Sequence, residues 1–137
     1  MNKSGPIIFI EDDIDDQEIF SSIFSNLKLE NELLFFTDGF KALEYLEESN
    51  ANPFLIISDT NLPMLSGFQL REKVFNNEAL KKKCIPYLLF TTAASQSAVI
   101  AAYSDSIQGF FVKPSSFYEL EATIGTIVTY WQKCLGA

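Results

Sequence analysis

Five short apolar runs alternate with segments of helical periodicity, and this alternation restricts the fold more than any other feature of the sequence. The runs are Pro6–Ile10, Leu33–Thr37, Phe54–Ser58, Tyr87–Phe90 and Gly109–Val112. Apolar runs of this kind are typical of strands that are covered on both faces in a parallel sheet. Because each run is followed by a helical pattern, we expect right-handed crossovers and helices on both faces. The sequence thus predicts an α/β fold with a doubly wound five-stranded parallel sheet in the order 2-1-3-4-5, and five helices.

The helical segments are marked by apolar residues at helical spacing. The first three lie within residues 14–27, 40–46 and 68–75, and Asn76 to Lys83 is predicted to be a solvated helix end. Val99, Ile100 and Tyr103 indicate a fourth helix. The fifth is marked most clearly, because Ser116 and Glu119 have the spacing of a capping box and an apolar stripe runs from Phe117 to Leu135.

Length and composition predict one soluble domain. The chain has 137 residues, of which 47% are hydrophobic, so residues 1–137 are expected to form a single domain with a core of about 6–135. The chain ends after its fifth helical segment, so we expect no separate output domain. A formal net charge of −8 would repel nucleic acid and anionic membrane surfaces, which argues against direct binding to either.

The low number of cysteines and the absence of histidine restrict the possible chemistry and indicate the cellular compartment. Cys84 and Cys134 lie far apart without metal-ligand spacing, as expected for two thiols in a reducing cytosol. The amino-terminal segment has too few consecutive apolar residues for a signal peptide or a membrane span, which predicts a cytoplasmic protein. The absence of histidine excludes Ser-His-Asp catalysis, His-ligated zinc and a phosphohistidine carrier.

Carboxylates follow two of the predicted strands. Glu11 and Asp12 come directly after the first strand, and Asp59 ends the third. In the order 2-1-3-4-5 these two strands are neighbours, so the three carboxylates should share the crevice at their carboxyl ends. Asp15 and Asp16 lie in the first helical turn, where capping and the helix dipole are a sufficient explanation.

A carboxylate cluster of this kind attracts a cation. Two carboxylates about 4 Å apart repel by roughly 4 kcal/mol at an effective dielectric constant near 20. Oxygen ligands in a partly hydrated site suit Mg²⁺ better than Ca²⁺. Thr91 and Lys113 end the fourth and fifth strands and bring a hydroxyl and an ammonium to the same edge. A carboxylate nucleophile, a metal, a hydroxyl and a cation together predict phosphoryl transfer.

These residues make the sequence similar to the receiver domain of two-component response regulators over nearly the whole chain. The matching positions are the acidic pair Glu11 and Asp12, the phosphorylated aspartate Asp59, Asn61 with its metal-binding backbone carbonyl, the turn residues Pro63 and Gly67, the hydroxyl residue Thr91, the switch aromatic Phe110, and the pair Lys113 and Pro114. Glu11 departs from the family, which more commonly has aspartate there. The resemblance further implies a flavodoxin-like fold and a cis peptide bond between Lys113 and Pro114.

The resemblance implies a phosphorylation-activated signalling switch that is no enzyme beyond its own modification. The phosphoryl group would come from a histidine kinase or a histidine phosphotransfer protein. Phosphorylation in the presence of Mg²⁺ would change a face made by the fourth helix, the fifth strand and the fifth helix. This face would bind a downstream protein target. The resemblance is also compatible with a homodimer. Two alternatives are a degenerate receiver that binds partners without phosphorylation and a haloacid-dehalogenase-type phosphatase, whose motif requires an acid where this chain has Asn61.

Overall fold

The computed structural model describes residues 1–48, 50–93, 95–104 and 107–136 and contains one parallel sheet. Its strands are β1 (Ile7–Ile10), β2 (Leu33–Phe36), β3 (Leu55–Asp59), β4 (Tyr87–Thr91) and β5 (Gly109–Val112). Every neighbouring pair is parallel, and the order is β2-β1-β3-β4-β5. The predicted fold class and strand order are confirmed, and each strand lies within one residue of its predicted bounds.

The helices follow the strands as predicted, with one addition. They are α1 (Ile14–Leu27), α2 (Gly39–Leu46), α3 (Gly67–Phe75), α4 (Glu78–Lys81), α5 (Gln96–Ser104) and α6 (Phe117–Lys133). The single-turn α4 occupies the segment predicted to be a solvated end. It forms because the Asn77 side chain caps it by accepting a hydrogen bond from the Leu80 backbone N–H at 3.1 Å, and because Leu80 is buried. The predicted fourth and fifth helices are therefore α5 and α6.

The helices cover both faces of the sheet. Helices α1 and α6 pack on one face, over a core that is rich in phenylalanine, whereas α2, α3 and α5 pack on the other face over mainly aliphatic residues. The aromatic core is centred on Phe9, whose ring lies 4.4 Å from that of Phe20 and 5.6 Å from that of Phe24, measured between centroids. No helix among the described residues is both long and apolar enough to cross a membrane.

The end of α6 differs from the prediction. The helix stops at Lys133, and Cys134 has an extended backbone, so Leu135 lies beyond it and is 98% exposed. Leu135 therefore does not belong to the buried stripe, whose buried members are Leu120, Ile124, Ile127 and Val128. At the other end of α6, Ser116 accepts a hydrogen bond from the Glu119 backbone N–H, which is one of the two bonds of the predicted capping box.

Candidate phosphoryl-transfer site

The strand register brings the predicted site residues to one edge of the sheet. Ile10 pairs with Ser58, so Glu11 and Asp59, which follow them, leave neighbouring strands at the same level. On the other side, Thr91 pairs with Val112, and the Lys113 backbone N–H donates to the Thr91 carbonyl at 2.7 Å. The carboxyl ends of four strands thus converge, as the strand order requires.

The Lys113 ammonium is the centre of the site. Its Nζ lies 2.8 Å from Glu11 Oε1 and 3.0 Å from Asp59 Oδ2. A third contact, of 3.2 Å, joins it to Asp16 Oδ2 in the first turn of α1. Three carboxylates therefore surround one ammonium, which partly offsets the repulsion between them.

The Glu11 carboxylate is almost fully buried. Its side chain is 3% exposed, and its second oxygen, Oε2, has no hydrogen-bond partner among the described residues. Burial is the main reason why the pKa of Glu11 is raised far above its ordinary value, and the neighbouring Asp16 carboxylate acts in the same direction. The interaction with Glu11 lowers the pKa of Asp16, and the Lys113 charge acts in the same direction.

The charge of Lys113 is stabilised by its partners. Burial by itself disfavours the ammonium, but the hydrogen bonds with Glu11 and Asp59 outweigh that effect and raise the pKa of Lys113 above its ordinary value. The lysine is therefore a fixed positive charge at neutral pH.

Asp59 is held in one orientation by two contacts. Oδ1 accepts a hydrogen bond from the Asn61 backbone N–H at 3.0 Å, and Oδ2 faces Lys113. The following α3 begins with a capping box, in which the Ser66 and Gln69 side chains each accept a hydrogen bond from the other's backbone N–H. This fixes the helix start against β3, because a Cβ on Gly67 would lie 2.4 Å from the Asp59 carbonyl oxygen.

The other two predicted switch residues lie near the site but have other partners. The Thr91 hydroxyl is buried and donates to the Ala93 carbonyl at 2.8 Å. Phe110 is half-buried, and its ring meets that of Phe68 edge-on with centroids 5.8 Å apart. A hydrogen bond from Thr91 to a group on Asp59 would thus require the hydroxyl to leave Ala93.

The donor set fits a hard divalent cation. Asp12 is exposed at the rim, next in the chain to Glu11, and the unpartnered Glu11 Oε2 is a buried oxygen that a cation could satisfy. Within the described ranges, no three acidic or thiol side chains enclose a metal position. This arrangement disfavours an all-protein cage, and it suits Mg²⁺, which keeps several waters and takes only one or two carboxylates from the protein.

Two expectations about individual residues are wrong. The Lys113–Pro114 peptide bond is trans rather than cis. This agrees with the intrinsic preference of an X-Pro bond, which favours trans by about 0.5–1 kcal/mol. Helix capping is not a sufficient explanation for Asp16: Asp13 is the N-cap, and its side chain accepts from the Asp15 and Asp16 backbone N–H groups. The Asp16 side chain instead contacts Lys113, 97 residues later in the chain.

Comparison with known proteins identifies the family. A family model described as the response regulator receiver domain matches residues 7–125. The chain belongs to this family. The match covers all five strands, the first five helices and the first half of α6. The predicted family is therefore confirmed.

Two similar curated proteins match this chain over most of their own length. The response regulator Rcp1 of Synechocystis is 26% identical, and the alignment covers 95% of this chain and 90% of Rcp1. The chemotaxis protein CheY1 of Helicobacter pylori is 28% identical, with 88% of this chain and 97% of that protein covered. Among solved structures, the Mn²⁺-bound form of Rcp1 superimposes with a TM-score of 0.79 at 26% identity, over 94% of this chain and 95% of that one.

Membership in the family defines the general function. This receiver is a phosphorylation-activated signalling switch of two-component signalling. Receiver domains interact with histidine kinases or phosphotransfer proteins, and they are switches rather than enzymes that act on a separate substrate.

Proposed function

We propose that Asp59 accepts the phosphoryl group and that Lys113 neutralises the charge that develops at the site. The observation that carries the proposal is the pair of contacts on Asp59: its Oδ1 is held by the Asn61 N–H while its Oδ2 faces the Lys113 ammonium. A carboxylate held in one orientation at a strand end, beside an ammonium, supports a role in attacking a phosphoryl donor.

The transfer needs no acid or base from the protein. A carboxylate oxygen of Asp59 attacks the phosphorus of the donor, the bond between phosphorus and the donor's leaving atom breaks, and that atom departs with the electron pair. Negative charge grows on the phosphoryl oxygens, and the Lys113 ammonium is positioned to stabilise it. The absence of histidine from the sequence is compatible with this chemistry, because no imidazole is required on the receiver side.

The proposed metal is Mg²⁺. Its ligands would be Asp12, Asp59, the Asn61 backbone carbonyl and Glu11 through its unpartnered Oε2. When bound, the ion neutralises phosphoryl oxygens in the way that divalent ions do in phosphoryl transfer. The Mn²⁺-bound structure of Rcp1 supports a divalent ion in a receiver of this type.

The proposed switch combines Thr91, Lys113 and Phe110. Moving an equilibrium from 1:99 to 99:1 requires about 5.5 kcal/mol, whereas one hydrogen bond to a charged group supplies only about 1.5 to 3 kcal/mol. A bond from Thr91 to the phosphoryl group is therefore insufficient, and the Lys113 contact and a repacking of Phe110 must add to it.

The surface that reads the switch is proposed to be formed by α5, β5 and α6. Apolar side chains are exposed on all three elements. They are Ile100 and Tyr103 on α5, Val112 on β5 and Tyr118 on α6. An exposed apolar set beside the Phe110 position supports binding of a downstream protein. We also propose that the chain is one receiver domain with a core of about residues 6–135.

The proposal is tested with acetyl phosphate and intact mass spectrometry. In the presence of Mg²⁺ we expect one phosphoryl adduct per chain, and we expect none when EDTA removes the metal. Borohydride reduces an acyl phosphate to an alcohol, so peptide mapping after reduction should find the modified residue at position 59. An adduct that forms equally well in EDTA, or that maps to another residue, would overturn the assignment.

Replacing Phe110 by alanine should separate phosphorylation from its readout. The Phe110 ring packs on Phe68 of α3 and carries no polar group, so Phe110→Ala should form the adduct at nearly the parent rate. Hydrogen exchange of the α5 amides should then no longer respond to phosphorylation. The control is Val112→Ala, on the same strand and exposed, which should keep the response. If α5 responds in Phe110→Ala as in the parent, the coupling runs through other residues.

A further inference from the structure

The three N–H donors of Lys113 match three carboxylate partners. An ammonium group has three protons, and Nζ lies within hydrogen-bond distance of Glu11, Asp59 and Asp16. When a phosphoryl group approaches Asp59, one of its oxygens becomes a fourth hydrogen-bond acceptor for the three Lys113 protons. One carboxylate has to give up its hydrogen bond when Lys113 turns to the phosphoryl group.

The three partners differ in how easily they can be released. The Glu11 and Asp59 side chains are 3% and 12% exposed, so breaking either contact would leave a carboxylate charge with little access to water. Asp16 is 37% exposed, and its contact is the longest of the three. Its carboxylate can return to water at the lowest cost.

We propose that Asp16 is a positioning residue that holds Lys113 in the unphosphorylated protein and is exchanged for a phosphoryl oxygen when Asp59 is modified. This inference rests on the proposed roles of Asp59 and Lys113. Asp16 competes for the ammonium that the transfer requires, so it slows phosphorylation. It also connects the first turn of α1 to the loop between β5 and α6, and the exchange breaks that connection.

The matched control lies one residue away. Asp15 is in the same turn of α1, is exposed, and has its backbone N–H capped by Asp13 like that of Asp16. Asp15→Ala and Asp16→Ala therefore remove the same charge from the same turn. Only Asp16→Ala removes the contact with Lys113, so a difference between the two variants reports that contact and not the general electrostatic field. Asp16→Glu keeps the charge and can restore the contact.

The test measures the rate of adduct formation from acetyl phosphate at saturating Mg²⁺. Asp16→Ala should phosphorylate about fivefold faster than the parent, which is the upper range for a partly exposed ion pair. Asp15→Ala and Asp16→Glu should stay within about twofold of the parent. A rate in Asp16→Ala that equals that of Asp15→Ala, or that falls below the parent, would overturn the inference.

A second readout needs neither metal nor phosphoryl donor. In protein labelled with ¹⁵N at lysine, the ammonium protons of Lys113 should exchange with water faster in Asp16→Ala than in the parent, and at the parent rate in Asp15→Ala. Unchanged exchange in Asp16→Ala would also overturn the inference. A parent protein that forms no adduct would instead contradict the proposed function. In that case the exchange measurement would still report whether Asp16 holds Lys113, so the two failures can be distinguished.

Discussion

Replacing Asp59 by asparagine should abolish the phosphoryl adduct completely. The amide of asparagine is not a nucleophile towards phosphorus at neutral pH, whereas the carboxylate of Asp59 is. The fold should persist, since the asparagine Oδ1 can still accept the Asn61 N–H, and the loss of the Lys113 contact is accompanied by less repulsion with Glu11. The Lys113 ammonium also keeps its contacts with Glu11 and Asp16, so we expect Asp59→Asn to remain folded.

The measurement is the intact mass after incubation with acetyl phosphate and Mg²⁺. The control is Asp13→Asn, which makes the same chemical change two residues after Glu11, at the N-cap of α1. Asparagine caps a helix about as well as aspartate, so Asp13→Asn should keep both its stability and the adduct. An adduct that survives in Asp59→Asn would show that another carboxylate accepts the phosphoryl group.

Replacing Gly67 by alanine should cause the largest loss of stability of any single methyl addition near the site. The new Cβ would lie 2.4 Å from the Asp59 carbonyl oxygen, 2.8 Å from Leu89 Cδ2 and 3.0 Å from Ser58 Oγ. A backbone carbonyl in a central strand cannot move aside as a flexible side chain can. We therefore expect a destabilisation of about 3 kcal/mol in urea unfolding, together with slower phosphorylation as Asp59 shifts.

Gly125 provides the control for that substitution. It lies in the middle of α6, where an added Cβ would meet only Leu27, at an ordinary contact distance of 3.7 Å. Alanine has the higher helix propensity, so Gly125→Ala should stabilise the protein by about 0.5–1 kcal/mol. If Gly67→Ala were as stable as the parent, α3 would have to dock against β3 less tightly than described above.

The strand ends were predictable from the sequence because few physical rules determine them. Parallel strands that alternate with helices bring their carboxyl ends to one edge, so Glu11, Asp59 and Lys113 could be placed together before any coordinates were known. The residue types then restricted the chemistry. Those predictions depend on strand order and not on the rotation of any helix about its axis.

Asp16 was not predictable for the opposite reason. Whether a residue in the first turn of α1 faces Lys113 or water depends on how that helix is rotated against the sheet, and Asp15 and Asp16 look equivalent as acids near a helix N-terminus. Leu135 was misplaced for a related reason. Its spacing continues the stripe of α6, but the helix ends at Lys133, and spacing alone does not give the last residue of a helix.

Helix α5 is anchored by fewer buried side chains than α6. It buries only Ala102, whereas α6 buries four larger side chains. Burial of a methyl group contributes about 0.8 kcal/mol and that of a leucine or isoleucine about 1.5–3 kcal/mol, so displacing α5 costs several kcal/mol less than displacing α6. If phosphorylation at Asp59 displaces a helix of the proposed readout surface, we therefore expect α5 to move more readily than α6.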